Sequence, residues 1–137
     1  MSKVFKKILC PINLRHAEHK QRAYEEAVRM ATNHGAELIV ATVAPEMERN
    51  LNIRDSRVYW SQRLEECHHD PPPGDLTTRS TVRIGSPHRH IVTLATEDDV
   101  ALIVMAAANP TVSDYLLGTT ATHVVAHTNA SVYVVRV

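Results

Sequence analysis

The sequence predicts a doubly wound α/β domain: a five-stranded parallel sheet flanked by helices. Three observations point there. Short apolar runs alternate with helix-patterned stretches in the order β-α-β-(α)-β-α-β-loop-α-β. The strand candidates are near-continuously apolar rather than alternating, which suits strands covered on both faces. Glycine and proline punctuate the boundaries between the two patterns.

Each element has its own warrant. Val4 to Ile12 is an apolar run interrupted by Lys6 and Lys7, and Pro11 and Asn13 close it. From His19 to His34, Ala23, Ala27, Met30 and Ala31 fall on one helical face, and Gly35 is the stop. Glu37 to Val43, ELIVATV, is the next strand, ended by Pro45. Residues 46–70 are charged, with a thin stripe at Val58, Ser61, Leu64 and Glu65, and Pro71-Pro72-Pro73-Gly74 breaks any helix there. Leu76 to Ile84 is rich in β-formers. Gly85-Ser86-Pro87 then supplies a turn, an N-cap serine and a proline at the first helical position. Ile91, Leu94 and Ala95 make that helix's buried face. Val100 to Ala106 is the most apolar strand and is expected at the centre. ATHVVAHT reads as the last helix and VYVVRV as the last strand. No internal repeat is present, and residues 1–137 are expected to form one domain.

Composition excludes several classes. The 137 residues are 44% hydrophobic and 22% charged, a globular and not a disordered balance. Lys+Arg and Asp+Glu number 15 each, and the basic residues are scattered. No electrostatic footprint for nucleic acid or an anionic membrane is expected. No apolar run approaches the ~18 residues of a membrane span. The start lacks the pattern of a signal peptide, and two cysteines are too few for a disulfide framework, so a cytoplasmic protein is expected.

Doubly wound sheets bind ligands beyond the carboxyl ends of their strands, where strand order reverses. Here those ends are Cys10-Pro11-Ile12-Asn13 and Met105-Ala106-Ala107-Ala108. Gly118-Thr119-Thr120 opens the last helix shortly after. A helix start offers unpaired N–H groups and about half a positive charge; glycine lets a phosphate approach, and a hydroxyl adds a donor. Plain helix capping by Thr119 or Thr120 is the alternative use of the same residues.

The strand end ILCPIN, the Gly-Ser-Pro turn, the strand ALIVMAA and the stretch NPTVSDYLLGTTATHVVAHTNASVYVVRV together resemble the universal stress protein family. The resemblance covers roughly Val4 to Pro45 and Val82 to Val137. It implies a fold of the adenine nucleotide alpha hydrolase type. It also implies an adenine nucleotide, ATP or another, with Mg2+ as an accompanying ion, held by a loop of the form G-x2-G-x9-G-[ST]. Residue by residue, Ala106 takes the first glycine position, Asn109 the second, and Gly118 and Thr119 the last pair. Pro11-Ile12-Asn13 takes the place of a Pro-x-Asp beside the nucleoside. The implied site therefore comprises Pro11, Ile12, Asn13, Val43, Met105, Ala106, Ala107, Asn109, Gly118, Thr119 and Thr120. Adenine would lie between Pro11-Ile12 and Val43, and phosphate on Gly118, Thr119 and Thr120. The sequence departs from the pattern in three ways: both early glycines are replaced, the spacer from Asn109 to Gly118 is eight residues, and Asn13 stands for the acid. The shorter spacer with Asn-Pro resembles a variant within the family. The loop from Ala106 to Thr122 carries no cation, so phosphate would depend on backbone donors or on a neighbour such as Arg15, Arg83 or His88. The resemblance further implies a homodimer joined through the last strand and a regulatory protein partner of unknown identity.

Other constellations carry less. Of nine histidines, the densest group is Cys67-His68-His69-Asp70, a single pair where structural zinc wants two; a solvated helix end suits it better. His88 and His90 flank a helix's first turn, facing different sides; His123 and His127 share a face. No nucleophile–base arrangement, Walker lysine or pair of metal-binding carboxylates stands out, so catalysis is not expected beyond weak ATP hydrolysis. The functions in contention are a nucleotide-binding module in stress-response regulation, a nucleotide-independent interaction protein on the same fold, and a slow ATP hydrolase.

Overall fold

Parallel strands need a crossover between them, and a crossover helix must bury one face on the sheet it spans. The computed structural model describes residues 5–12, 17–44, 76–107 and 119–136. The expected alternation is present in it. Strand β1 (Lys7–Ile12) is followed by helix α1 (Ala17–His34) and strand β2 (Glu37–Ala44). Strand β3 (Thr78–Ile84), helix α2 (Pro87–Glu97), strand β4 (Leu102–Ala107), helix α3 (Thr119–His127) and strand β5 (Ser131–Arg136) complete the order. The possible helix within 46–70 lies outside the described residues.

The five strands form one parallel sheet in the order β3-β2-β1-β4-β5. Right-handed crossovers then fix the layers. The chain steps from β1 to β2 in one direction, which sets α1 on one face. It steps from β3 to β4 and from β4 to β5 in the other direction, which sets α2 and α3 on the opposite face. The core divides accordingly. Ile8, Cys10, Leu38, Val40 and Val104 pack with Ala23, Ala27 and Ala31 of α1. Leu9, Ile39, Ala41, Ile103 and Met105 pack with Ile91, Leu94 and Ala95 of α2 and Ala121 and Val124 of α3. Both sets leave each central strand apolar on both sides, hence the continuous runs in the sequence. Each fully buried Ile or Leu contributes about 1.5–3 kcal/mol. The alanines of α1 let that helix sit close to the strands, and Gly35, at φ 61°, ends it in the left-handed conformation.

Several boundaries differ from expectation by a few residues: α1 begins at Ala17, β4 runs over Leu102–Ala107 and β5 over Ser131–Arg136. β1 begins at Lys7, where its pairing with Glu37 starts, rather than further upstream. β3 begins at Thr78; the Thr77 carbonyl already accepts from Leu38 N–H at 2.9 Å, but Leu76 and Thr77 lie outside the strand. Ser86 occupies the N-cap position of α2 and Pro87 the first turn, as expected, yet the serine hydroxyl makes no capping bond. Its Oγ lies 3.3 Å from His88 Nδ1 instead, and the Ser86 carbonyl accepts from His90 N–H. The histidine ring competes for the hydroxyl that would otherwise cap the helix.

Candidate functional site

Strand order reverses between β1 and β4: β2 and β3 extend the sheet on one side, β5 on the other. The two strand ends named from the sequence are therefore neighbours at the switch point. Local chemistry opens the sheet there. Lys6 C=O accepts from Glu37 on β2, and Lys7 C=O accepts from Ala101 at the start of β4. Backbone groups alternate in direction along a strand, so those of Lys7, Leu9 and Pro11 face β4. Proline has no N–H. The donor that would continue the β1–β4 ladder past Leu9 is thus missing. The paired residues are Ile8↔Leu102 and Leu9↔Ile103, whereas β1–β2 pairing runs on to Ile12↔Thr42.

Beyond that parting, the candidate residues divide between the two faces of the sheet. Val43 and Met105 belong to the face under α2 and α3, and alternation puts Pro11 there with Leu9. Ile12 and Ala106 belong to the α1 face. Met105 and Ile12 are buried, while Pro11, Val43 and Ala106 are half-buried and present their remaining surface at the strand ends. Ala107 is the last residue of β4. Thr119 and Thr120 form the first turn of α3, at the place the Gly-Thr-Thr motif predicts a helix start, and no acidic residue occupies that turn. Asn13, Asn109 and Gly118 lie outside the described residues.

One residue of this region escapes a reading of the sequence. Thr42 is the buried polar residue of the described core, 2% exposed, and its Oγ1 donates to the Ile12 carbonyl at 2.8 Å. The bond ties the end of β1 to β2 on the side away from the parting. Its partner is thirty positions away, and within ELIVATV a threonine looks like any β-branched strand residue.

The neighbouring cations are differently placed from one another. Arg83 donates to Glu97 at 3.0 Å and is committed to that pair. His88, in the first turn of α2, stacks on His123 of α3, with ring centroids 4.4 Å apart and planes inclined by 21°. His90 turns instead over Gly85. Arg15 lies outside the described residues, as does the Cys67-His68-His69-Asp70 cluster. Among the described residues no group of three or more His, Cys, Asp or Glu could hold a metal ion. Cys10 is wholly buried, and desolvation pushes its thiol up to about 12, so it packs as a small apolar side chain and not as a nucleophile. No described helix is long and apolar enough to cross a membrane.

Comparison with known proteins agrees with this architecture. The profile of the universal stress protein family matches residues 5–136. The chain is 25% identical to universal stress protein G of Shigella flexneri over 144 aligned positions, which cover 97% of this chain and all of that one. Among solved structures, the universal stress protein UspA of Lactobacillus plantarum superposes with a TM-score of 0.70 at 22% identity, covering 99% of this chain and 100% of that one. A universal stress protein in complex with cAMP superposes with a TM-score of 0.69 at 17% identity, covering 96% and 97%.

Proposed function

Because the chain belongs to the universal stress protein family, we propose that it binds an adenine nucleotide at the carboxyl ends of β1 and β4 and acts as a regulatory binding module rather than an enzyme. The observation that carries this reading is the parting of β1 from β4 at Pro11. It sets the ends of β1 and β4 apart at the switch point, the place where doubly wound sheets take their ligands, with α3 opening at Thr119 after β4. A family neighbour bound to cAMP lends the ligand class.

In this reading Pro11 and Val43, which share a face, flank the base with the Ile12 backbone beside them, and the Met105, Ala106 and Ala107 backbone borders its edge. Asn13 and Asn109 hydrogen-bond the ribose, since an amide both donates and accepts. Phosphate rests on the N–H groups and hydroxyls at Gly118, Thr119 and Thr120. The charge available is modest. The loop contains no Lys, Arg or His, and Arg83 is paired with Glu97. Asn13 has no charge to offer Mg2+. These features favour a nucleotide with one phosphate, cyclic or not, over Mg2+–ATP, and they disfavour hydrolysis. Ligand would order the loop between β4 and α3, and a protein partner would read that order.

Calorimetric titration with AMP, cAMP and ATP, with and without magnesium, tests the reading. AMP or cAMP should bind at least as tightly as ATP, with no dependence on magnesium. Gly118→Val puts a branched side chain where phosphate approaches and should weaken binding at least tenfold while the melting temperature stays put. Absence of binding by all three nucleotides would reject the reading in favour of a nucleotide-independent interaction protein.

A further inference from the structure

The seam between α2 and α3 carries a row of three imidazoles that the nucleotide site does not use. His88 comes from the first turn of α2. Its ring stacks on His123 of α3, and His123 in turn lies parallel to His127, with centroids 6.1 Å apart and planes inclined by 16°. The i,i+4 spacing on α3 sets the second pair; the packing of the two helices sets the first. His88 is half-buried, and His123 and His127 are exposed along the seam.

Among the described residues no carboxylate is placed to accept a charge on this row. α3 contains no acidic residue, and neither helix has one in its first turn. The acid of α2, Glu97, is its last residue and is bonded to Arg83. The sheet face beneath presents Leu9, Ile39, Ala41, Ile103 and Met105, all apolar. The remaining neighbours on α2 are Arg89, which is cationic, and His90, whose ring is turned over Gly85. Ser86 Oγ is the polar atom at His88 Nδ1, 3.3 Å away. Neutral rings stack well in such a place. Two adjacent imidazolium rings repel, and no carboxylate among the described residues offsets them.

We propose that the His88–His123–His127 row is a pH-sensitive latch: neutral, it holds α2 against α3; protonated, it pushes the two helices apart. Because His123 lies one turn inside α3, whose first residue is Thr119, loosening the seam shifts the start of that helix. The latch is a property of the unliganded chain and stands apart from nucleotide binding. Partial burial, then the charges of His123, Arg89 and His127, hold His88 below the ordinary histidine value. An unfolded His88 takes its proton near ~6.5, so between there and the lower folded value the unfolded chain binds more protons. Stability therefore falls as pH drops through that window.

Two measurements on the full chain without ligand decide it. Proton NMR titration from pH 8 to 5 should show His88 titrating below the free-histidine value in the wild type and moving back toward it in His123→Gln. The melting temperature should fall between pH 7 and 5.5, with a shallower fall in His88→Gln and in His123→Gln and the wild-type slope in His90→Gln. A His88 that titrates at the ordinary value, unmoved by His123→Gln, would overturn the latch. So would melting slopes in His88→Gln and His123→Gln that equal the wild type's. The NMR arm stands even where His88→Gln does not fold.

Discussion

Gly85 shows how a single backbone position governs the approach to α2. It follows β3 directly and sits at φ 138°, a conformation side-chain-bearing residues rarely adopt. A Cβ built there would come 2.7 Å from His90 Nε2 and 3.2 Å from its Cδ2. Gly85→Ala thus meets two obstacles, a strained dihedral and a ring in the way. The ring can move and the dihedral cannot. We expect Gly85→Ala to cost about 1–2 kcal/mol in urea unfolding, and His90→Ala in the same chain to recover only a minor part. Wild-type stability in Gly85→Ala would mean the turn relaxes freely. The glycine was legible in the sequence because Gly-Ser-Pro is a turn-and-cap signal. Two other residue-level facts were not. The capping hydroxyl of Ser86 is drawn to His88, and Thr42 finds its acceptor on Ile12; both depend on neighbours that only the folded chain supplies.

Among elements, α1 and β5 are joined by a small polar network at the margin of the core. Glu26 of α1 accepts from Arg29 on the next turn and from the Tyr133 hydroxyl of β5 at 3.0 Å. The Arg29 hydrogen bond first, and the Tyr133 bond second, hold the Glu26 carboxyl below its ordinary value. A carboxyl depressed in the folded state adds stability that is present above the unfolded value of about 4.5 and is lost as pH falls through the folded one. Melting measured from pH 7 to 3 should therefore show a gentler acid limb in Glu26→Gln than in the wild type, and an intermediate one in Tyr133→Phe. The pair is partly exposed, so the effect should shrink in high salt. Identical acid limbs in all three proteins would show that Glu26 contributes nothing specific. Helical spacing predicted α1 and the apolar run predicted β5, because each pattern is local. Their contact joins positions 107 residues apart and has no local signature. Pro11 is the opposite case. Its meaning was half legible: the apolar run closed by Pro11 and Asn13 gave the end of β1 at Ile12, but that the proline also ends the ladder toward β4 depends on which neighbour its backbone faces.

At the scale of the whole molecule, strand order follows from where the chain must return, and it leaves β5 at one edge of the sheet. An edge strand exposes a row of backbone groups that can pair with another chain. On β5 the direction of that row is fixed by one bond: Ser131 N–H donates inward to Ala101 C=O at 3.0 Å. By alternation the groups of Tyr133 and Val135 also face β4, and those of Val132 and Val134 face outward. Tyr133 and Val135 pack toward α1 and Val132 toward α2 and α3, yet Val132, Tyr133 and Val134 remain half-buried in the single chain. We propose that a second copy covers this edge, antiparallel about a two-fold axis, since such an axis pairs the same patch with itself. Val134→Pro is the discriminating variant. It removes an outward donor and leaves the β4–β5 ladder its own bonds, so the monomer should still fold. Light scattering should report two chains in the wild type at micromolar concentration and a shift toward one in Val134→Pro, with the far-UV circular dichroism unchanged. If the edge instead merely completes the sheet, both proteins will scatter as single chains. A wild type that is monomeric throughout the micromolar range would remove the dimer from consideration.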